Sequence, residues 1–201
     1  MNKYFPLIVS AALTCFSSSL LAEALRYTFI SAGYSKFSTE LDGYSSDING
    51  DSVSLDFSID VRPSIAFVAG YSSGKADVLP AGKDAVDIRS YSFGLVVHLP
   101  VNDKTDFILG TSFLNGEIDV NNSLIGGENA DGGMSIMGFR SMMTDKLEFN
   151  GFLRKRSLEQ ASYIGLSLGS AYYVADSVSV DIGFSFDSDL RSLAFAVTKY
   201  F

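Results

Sequence analysis

Residues 53–61 read Val-Ser-Leu-Asp-Phe-Ser-Ile-Asp-Val, apolar at every odd position and Ser or Asp at every even one. A period of two sends successive side chains to opposite faces, so the stretch is a β-strand with one apolar and one polar face. The pattern recurs at 178–187, where Val178, Val180, Ile182, Phe184 and Phe186 alternate with Ser179, Asp181, Gly183, Ser185 and Asp187. It recurs again where Tyr91, Phe93, Leu95, Val97 and Leu99 alternate with Ser92, Gly94, Val96 and His98.

Turn signals between such runs divide the chain into about ten strands, roughly 25–37, 52–61, 65–75, 88–99, 106–116, 133–143, 147–156, 162–173, 178–187 and 190–201, with eight as the alternative count. The connections alternate in kind. Arg62-Pro63-Ser64, Pro100 to Thr105, Thr144-Asp145-Lys146 and Val174 to Ser177 are tight and carry Pro, Asn or Asp turn chemistry. Ser38 to Asp51, Ala76 to Asp87 and Glu117 to Gly132 are longer and rich in Gly, Asp and Asn.

A soluble sandwich or lipocalin-like barrel shares the alternation, so the choice rests on other features. These strands match the roughly 9–11 residues of a tilted membrane strand, above the globular mode of about 5–6. Short and long connections alternate, as when one rim faces the periplasm and the other the outside. The non-apolar face is mostly Ser, Gly, Ala and Asp, and the chain ends on an aromatic, Phe201. The expected fold is all-β: a closed antiparallel transmembrane barrel with large side chains toward lipid and a polar lumen. An even count puts both termini on the periplasmic side, and closure removes the edges that lipid does not tolerate. With no Trp in the chain, the aromatic girdles are expected from Tyr27, Tyr91, Tyr172, Phe107, Phe149 and Phe201.

The first 24 residues read as a cleaved secretory signal: Lys3 for the positive start, an apolar run from Leu7 to Leu13, and Ala22-Glu23-Ala24 as the cleavage site. Residues 25–201 then form the barrel domain, destined for the bacterial cell outer membrane. Cleavage would remove one Lys and one Glu, leaving the net charge at −8, and would take away Cys15, the single Cys. With 15 Lys+Arg against 23 Asp+Glu, the balance argues against a nucleic-acid partner. One Cys and one His argue against a Cys/His metal site, and no cofactor motif is present.

These features resemble the small outer-membrane β-barrel proteins of Gram-negative bacteria, closest to the roughly ten-stranded barrels related to the opacity and adhesin type. The carriers of the resemblance are the signal peptide, the tight turn in Thr144-Asp145-Lys146-Leu147-Glu148-Phe149-Asn150-Gly151, and terminal Phe201. The resemblance implies insertion by the outer-membrane assembly machinery, with Phe201 as the assembly signal, and no particular activity. The chain departs from that signal at Lys199, where an aromatic is usual.

Facing then sorts the candidate functional residues. The lumen is expected to receive Asp56, Asp60, His98, Arg140, Glu148, Asn150 and Asp181. Hairpin arithmetic sets Arg140 opposite Asn150 and diagonal to Glu148, while Arg154 belongs inside or at the outer rim. This group reads as a polar network filling the lumen, or as the lining of a narrow cation-preferring pore. His98 has no triad partner by spacing, so no enzymatic activity is expected. Outside, Glu40, Asp42, Asp47 and Asp51, then Glu117, Asp119, Glu128 and Asp131, make acidic loops. These could bridge through divalent cations to lipopolysaccharide, or meet a host or cell-surface ligand. The role expected from sequence is therefore envelope structure or surface interaction, with outer-membrane lipid and lipopolysaccharide as partners and the pore as alternative.

Overall fold

A computed structural model describes residues 25–39, 48–77, 85–120, 128–158, 161–187 and 190–201. The strands are β1 (Phe29–Thr39), β2 (Ile48–Arg62), β3 (Ile65–Asp77), β4 (Ala85–Asn102), β5 (Thr105–Val120), β6 (Glu128–Thr144), β7 (Leu147–Leu158), β8 (Ala161–Ala175), β9 (Val178–Asp187) and β10 (Leu190–Tyr200). Each pairs antiparallel with its chain neighbours, and β1 closes on β10 from Phe29 opposite Tyr200 to Thr39 opposite Leu190.

One end of the barrel is made by two-residue turns at Pro63-Ser64, Asp103-Lys104, Asp145-Lys146 and Asp176-Ser177. Side chains hold two of them: Asn102 Oδ1 accepts from the Lys104 amide at 2.9 Å, and Thr144 Oγ1 from the Lys146 amide at 3.2 Å. Next to each turn a register shift is absorbed, at Asp60/Arg62, Pro100/Asn102, Met142/Thr144 and Tyr173/Ala175. Such bulges sharpen the local twist where a strand must reverse, and one of them accommodates Pro100. Outer-membrane barrels turn tightly on the periplasmic side, which orients this one.

The outward face is apolar on every strand. Val53, Leu55, Phe57, Ile59 and Val61 are 40–57% exposed, and Ile30, Tyr71, Phe93, Leu109, Met137, Leu153, Leu166, Ile182 and Phe195 continue the band around the circumference. Water would not tolerate a closed ring of this kind, and a hydrocarbon solvent requires it. From Tyr91 to Val101 the outward set of β4 rises about 25 Å, at about 3.3 Å per residue and a tilt near 40°, which matches a bilayer's apolar band.

Five strands extend well past this band. β2, β4, β5 and β6 have 15–18 residues and β3 has 13, against 10 and 11 for β9 and β10. β8, with 15, keeps its outward apolar set from Ile164 to Val174 in the band. In the extension the polarity rule reverses. On β4, Arg89 and Asp87 point out while Ile88 and Val86 are buried inside; on β5, Asn115 and Glu117 point out and Leu114 in; on β6, Asp131 out and Ala130 in. The solvent explains the reversal. Lipid surrounds the lower barrel, so its apolar side chains face outward. Water surrounds the extension, which gathers its apolar side chains inward like a soluble sheet.

Within the long connections expected at 38–51, 76–87 and 117–132, the described residues 38–39, 48–51, 76–77, 85–87, 117–120 and 128–132 are strand. Asp51, Glu117, Asp119, Glu128 and Asp131 belong to β2, β5 and β6 and not to loops. Glu40, Asp42 and Asp47 lie outside the described residues, as does the expected signal segment. β1 starts at Phe29, later than the expected 25.

Small side chains let the walls close on a narrow interior. Gly138, inward on β6, shows how tightly: a Cβ there would meet the Gly151 carbonyl oxygen and the Phe152 ring, the latter at 2.7 Å. Gly138→Val is expected to lower unfolding stability by about 1–3 kcal/mol, read from the urea midpoint of the barrel in vesicles.

Candidate functional site: the lumen

The interior is stacked in three layers. The periplasmic layer holds most of the charge. Arg140, opposite Asn150 in the β6–β7 ladder, donates to both carboxylate oxygens of Glu148, Nε to Oε1 at 2.8 Å and Nη2 to Oε2 at 3.0 Å. Both side chains are 0% exposed. A third donor, the Tyr173 hydroxyl, reaches Glu148 Oε2 at 3.2 Å. A buried pair survives when its geometry is good and its polar atoms are satisfied. Both Glu148 oxygens have donors, whereas Arg140 Nη1 is buried without a hydrogen-bond partner among the described residues.

Tyr27 links that pair to the single His. The Arg140 guanidinium lies 5.7 Å from the Tyr27 ring centre, and the same ring stacks on His98 at 3.5 Å and 15°. The Tyr27 hydroxyl donates to Asp106 at 2.6 Å, and Asp106 lies 3.5 Å from His98 Nδ1. Asp60 is 3.9 Å from His98 Nε2, but 41% of its side chain is exposed, so it sits at the periplasmic rim and not within the lumen. Asp181 accepts from Ser179 at 2.6 Å and Thr198 at 2.5 Å, and Ser179 meets the Tyr200 hydroxyl at 3.1 Å. Phe29, Tyr173 and Tyr200 fill the space between these polar groups.

The middle layer is small and hydroxylic. Ser35 meets Ser52 at 3.1 Å, Ser72 meets Ser90 at 2.7 Å, and the Ser54 hydroxyl donates to Asp56 at 3.3 Å. Asp56 borders two hollows, of about 60 Å³ beside Phe152, Arg154 and Ser167 and of about 20 Å³ beside Asn150 and Asp181. A water needs about 10–15 Å³ by this measure, so each hollow takes a few waters at most.

In the outer layer Arg154 and Arg156 both lie against Asp187, Arg154 at 3.7 Å. All three are buried. Apolar Phe37, Ile88, Leu114, Leu158 and Leu190 are buried at the same end.

Several members of this interior are absent from the sequence expectation. Tyr27, expected in a lipid-facing girdle, is 1% exposed and inside, whereas Tyr91, Tyr172, Phe149 and Phe201 do face outward and Phe107 is half-buried. Asp106, Tyr173, Tyr200, Arg156 and Asp187 are also buried inside and lie outside the expected set. The phase of β7 carried the signal for Arg154 and Arg156, since Glu148, Asn150, Phe152, Arg154, Arg156 and Leu158 share one parity and are all buried.

Outside, the extension carries paired charges. Lys75 lies 3.4 Å from Asp87, Arg89 lies 3.7 Å from both Glu117 and Asp119, and Asn115 donates to Asp131 at 2.7 Å. Register adds Asp51, set between Lys36 and Lys75. Among the described residues no group of three acidic, His or Cys side chains is placed to hold a metal ion.

No protein-family model matches the sequence, and no curated protein sequence matches it either. Solved structures match the fold. The translocator domain of the autotransporter NalP from Neisseria meningitidis aligns over 98% of this chain and 94% of its own, with a TM-score of 0.57 at 8% identity. The transport unit of the autotransporter AIDA-I from Escherichia coli aligns over 100% and 98%, with a TM-score of 0.56 at 10% identity. This is an outer-membrane β-barrel. Identities this low carry the architecture and no activity. The lumen and the extension must therefore be read on their own chemistry.

Proposed function

We propose that this outer-membrane barrel is a non-enzymatic, non-conducting scaffold of the envelope. Its working surface is the charged outer wall of β2–β6. The observation that carries the reading is the reversal of polarity above the membrane band. A sheet with its own buried apolar side, Val86, Ile88 and Leu114, stands in water and presents Lys75, Asp87, Arg89, Glu117 and Asp131 outward. The paired charges suit recognition of a partner with alternating charge, because complementary fields set orientation and encounter rate.

The lumen supports the same reading. Its periplasmic layer is filled by Arg140–Glu148 and the rings of Tyr27, Phe29, Tyr173 and Tyr200, and narrow barrels are filled in this way. His98 is covered by the Tyr27 ring and flanked by Asp106 and Asp60, an arrangement that holds a ring in place. In this reading residues 1–24 are a cleaved export signal, Phe201 is the mark used by the assembly machinery, and the surface ligand comes from lipopolysaccharide or another cell.

Refolded protein in planar lipid bilayers, with heat-modifiable gel mobility as the control for folding, is expected to give no discrete current steps. Cation-selective steps that change with Asp56→Asn would overturn the scaffold reading and install a narrow diffusion pore.

A further inference from the structure

The lipid-facing band is not uniformly convex. Across β4 to β8 a single register row runs Leu95, Thr111, Ser135, Lys155, Ile164, with short side chains in the middle and long ones at the edges. The short side chains leave a hollow of about 660 Å³ on the outer surface, walled by Leu95, Leu109, Leu153 and Ile164 with Thr111 and Ser135 in its floor. That volume lies within the roughly 300–1,000 Å³ of sites that hold small ligands.

Lys155 is exposed at the edge of this hollow. On β7 the outward positions on its periplasmic side include Leu147, Phe149 and Leu153, and the next outward position beyond it is Ser157. Lys155 therefore marks the upper border of the apolar band on its strand, at the depth of outer-leaflet headgroups. Among the described residues it has no carboxylate partner, unlike Lys75 and Arg89 in the wall above. A Lys at this depth lays its methylenes on apolar surface and presents its ammonium to whatever anion the headgroup layer supplies.

The geometry points to a specific lipid site: the hollow takes acyl chains of a phosphate-bearing glycolipid of the outer leaflet, and Lys155 pairs with its phosphate. Charge complementarity at the mouth and an apolar basin below together select an amphiphile with an anionic head. The site is independent of whether the lumen conducts and of what the wall binds.

The test uses the full barrel in mild detergent, with purified lipid A, in bisphosphorylated and dephosphorylated forms, as the probe and native mass spectrometry as the readout. Wild type is expected to retain the bisphosphorylated form. Lys155→Ala should lower the retained fraction about fivefold, as loss of one Lys–anion attraction at the surface predicts. Ser135→Phe, which fills the floor, should lower it as well, while Lys36→Ala should leave it unchanged. Heat-modifiable mobility verifies that each variant is folded. Equal retention by Lys155→Ala and wild type would overturn the site. So would equal retention of the dephosphorylated form, or an equal loss in Lys36→Ala, which would mean diffuse charge attraction.

Discussion

Replacing Arg140 with Ala is expected to destabilise the barrel by about 3–5 kcal/mol, because it strands a buried carboxylate. Glu148 is 0% exposed and takes two of its hydrogen bonds from Arg140. Without the guanidinium, the Tyr173 hydroxyl remains as a neutral donor, and the desolvated charge has lost its counter-ion. The measurement is the urea midpoint in lipid vesicles, followed by the mobility difference between heated and unheated samples. The double variant Arg140→Met with Glu148→Met should return close to wild type, since apolar side chains of similar volume replace a buried pair at little or no net cost. A loss below about 1 kcal/mol for Arg140→Ala would mean that water reaches the periplasmic layer, since exposed pairs contribute that little. The filled lumen would then have to be abandoned.

The second large effect concerns the solvent outside the barrel. Ile182 lies mid-strand on β9 and is 47% exposed. Ile182→Arg is expected to cost about 2–4 kcal/mol, the amount for a cation near the midplane of a lipid-facing strand. Asp51→Arg, on an outward position above the band, should change stability by less than about 1 kcal/mol, because that position is already in water. Comparing the two in vesicles and in detergent checks the assignment. If Ile182→Arg were as mild as Asp51→Arg, the exposed apolar ring would not be a lipid contact, and the orientation of the whole molecule would fail.

Much of the membrane part is legible in the sequence, and β2 shows why. In Val53 to Val61 both the strand and its facing follow from alternation, because a strand half in lipid and half against a narrow lumen has one large and one small face. The β6–β7 hairpin is equally local. Thr144-Asp145-Lys146 announces a tight turn, and counting back from it puts Arg140 and Glu148 on one face.

Two things escape such counting. One is the extension above the membrane. At Arg89 and Ser90 the inside of β4 changes from small and hydroxylic to apolar, while the outside changes from apolar to charged. Alternation continues, but its polarity inverts, and a reading that assumes one solvent takes the inverted part for loop. Asp87, Glu117 and Asp131, which lie on β4, β5 and β6, read as loop residues for that reason.

The other is the aromatic filling of the periplasmic layer. Tyr27, Phe29 and Tyr200 are large, and large side chains on a membrane strand read as lipid-facing. Their inward direction follows from closure, which pairs Phe29 with Tyr200 and with Ser58 across β10 and β2. Room for the rings comes in part from the small Ala66, brought into the same cluster from β3.

The sequence by itself determined the strands crossing the membrane, the tight turns and the parity of each face, because all three depend on neighbours a few residues away. Only the tertiary structure decided which rings fill the barrel, that Asp106 and Tyr27 hold the single His, and where lipid gives way to water along one strand. Those outcomes depend on residues brought together by closing β1 onto β10, and on the medium surrounding each level of the barrel, neither of which is written in local spacing.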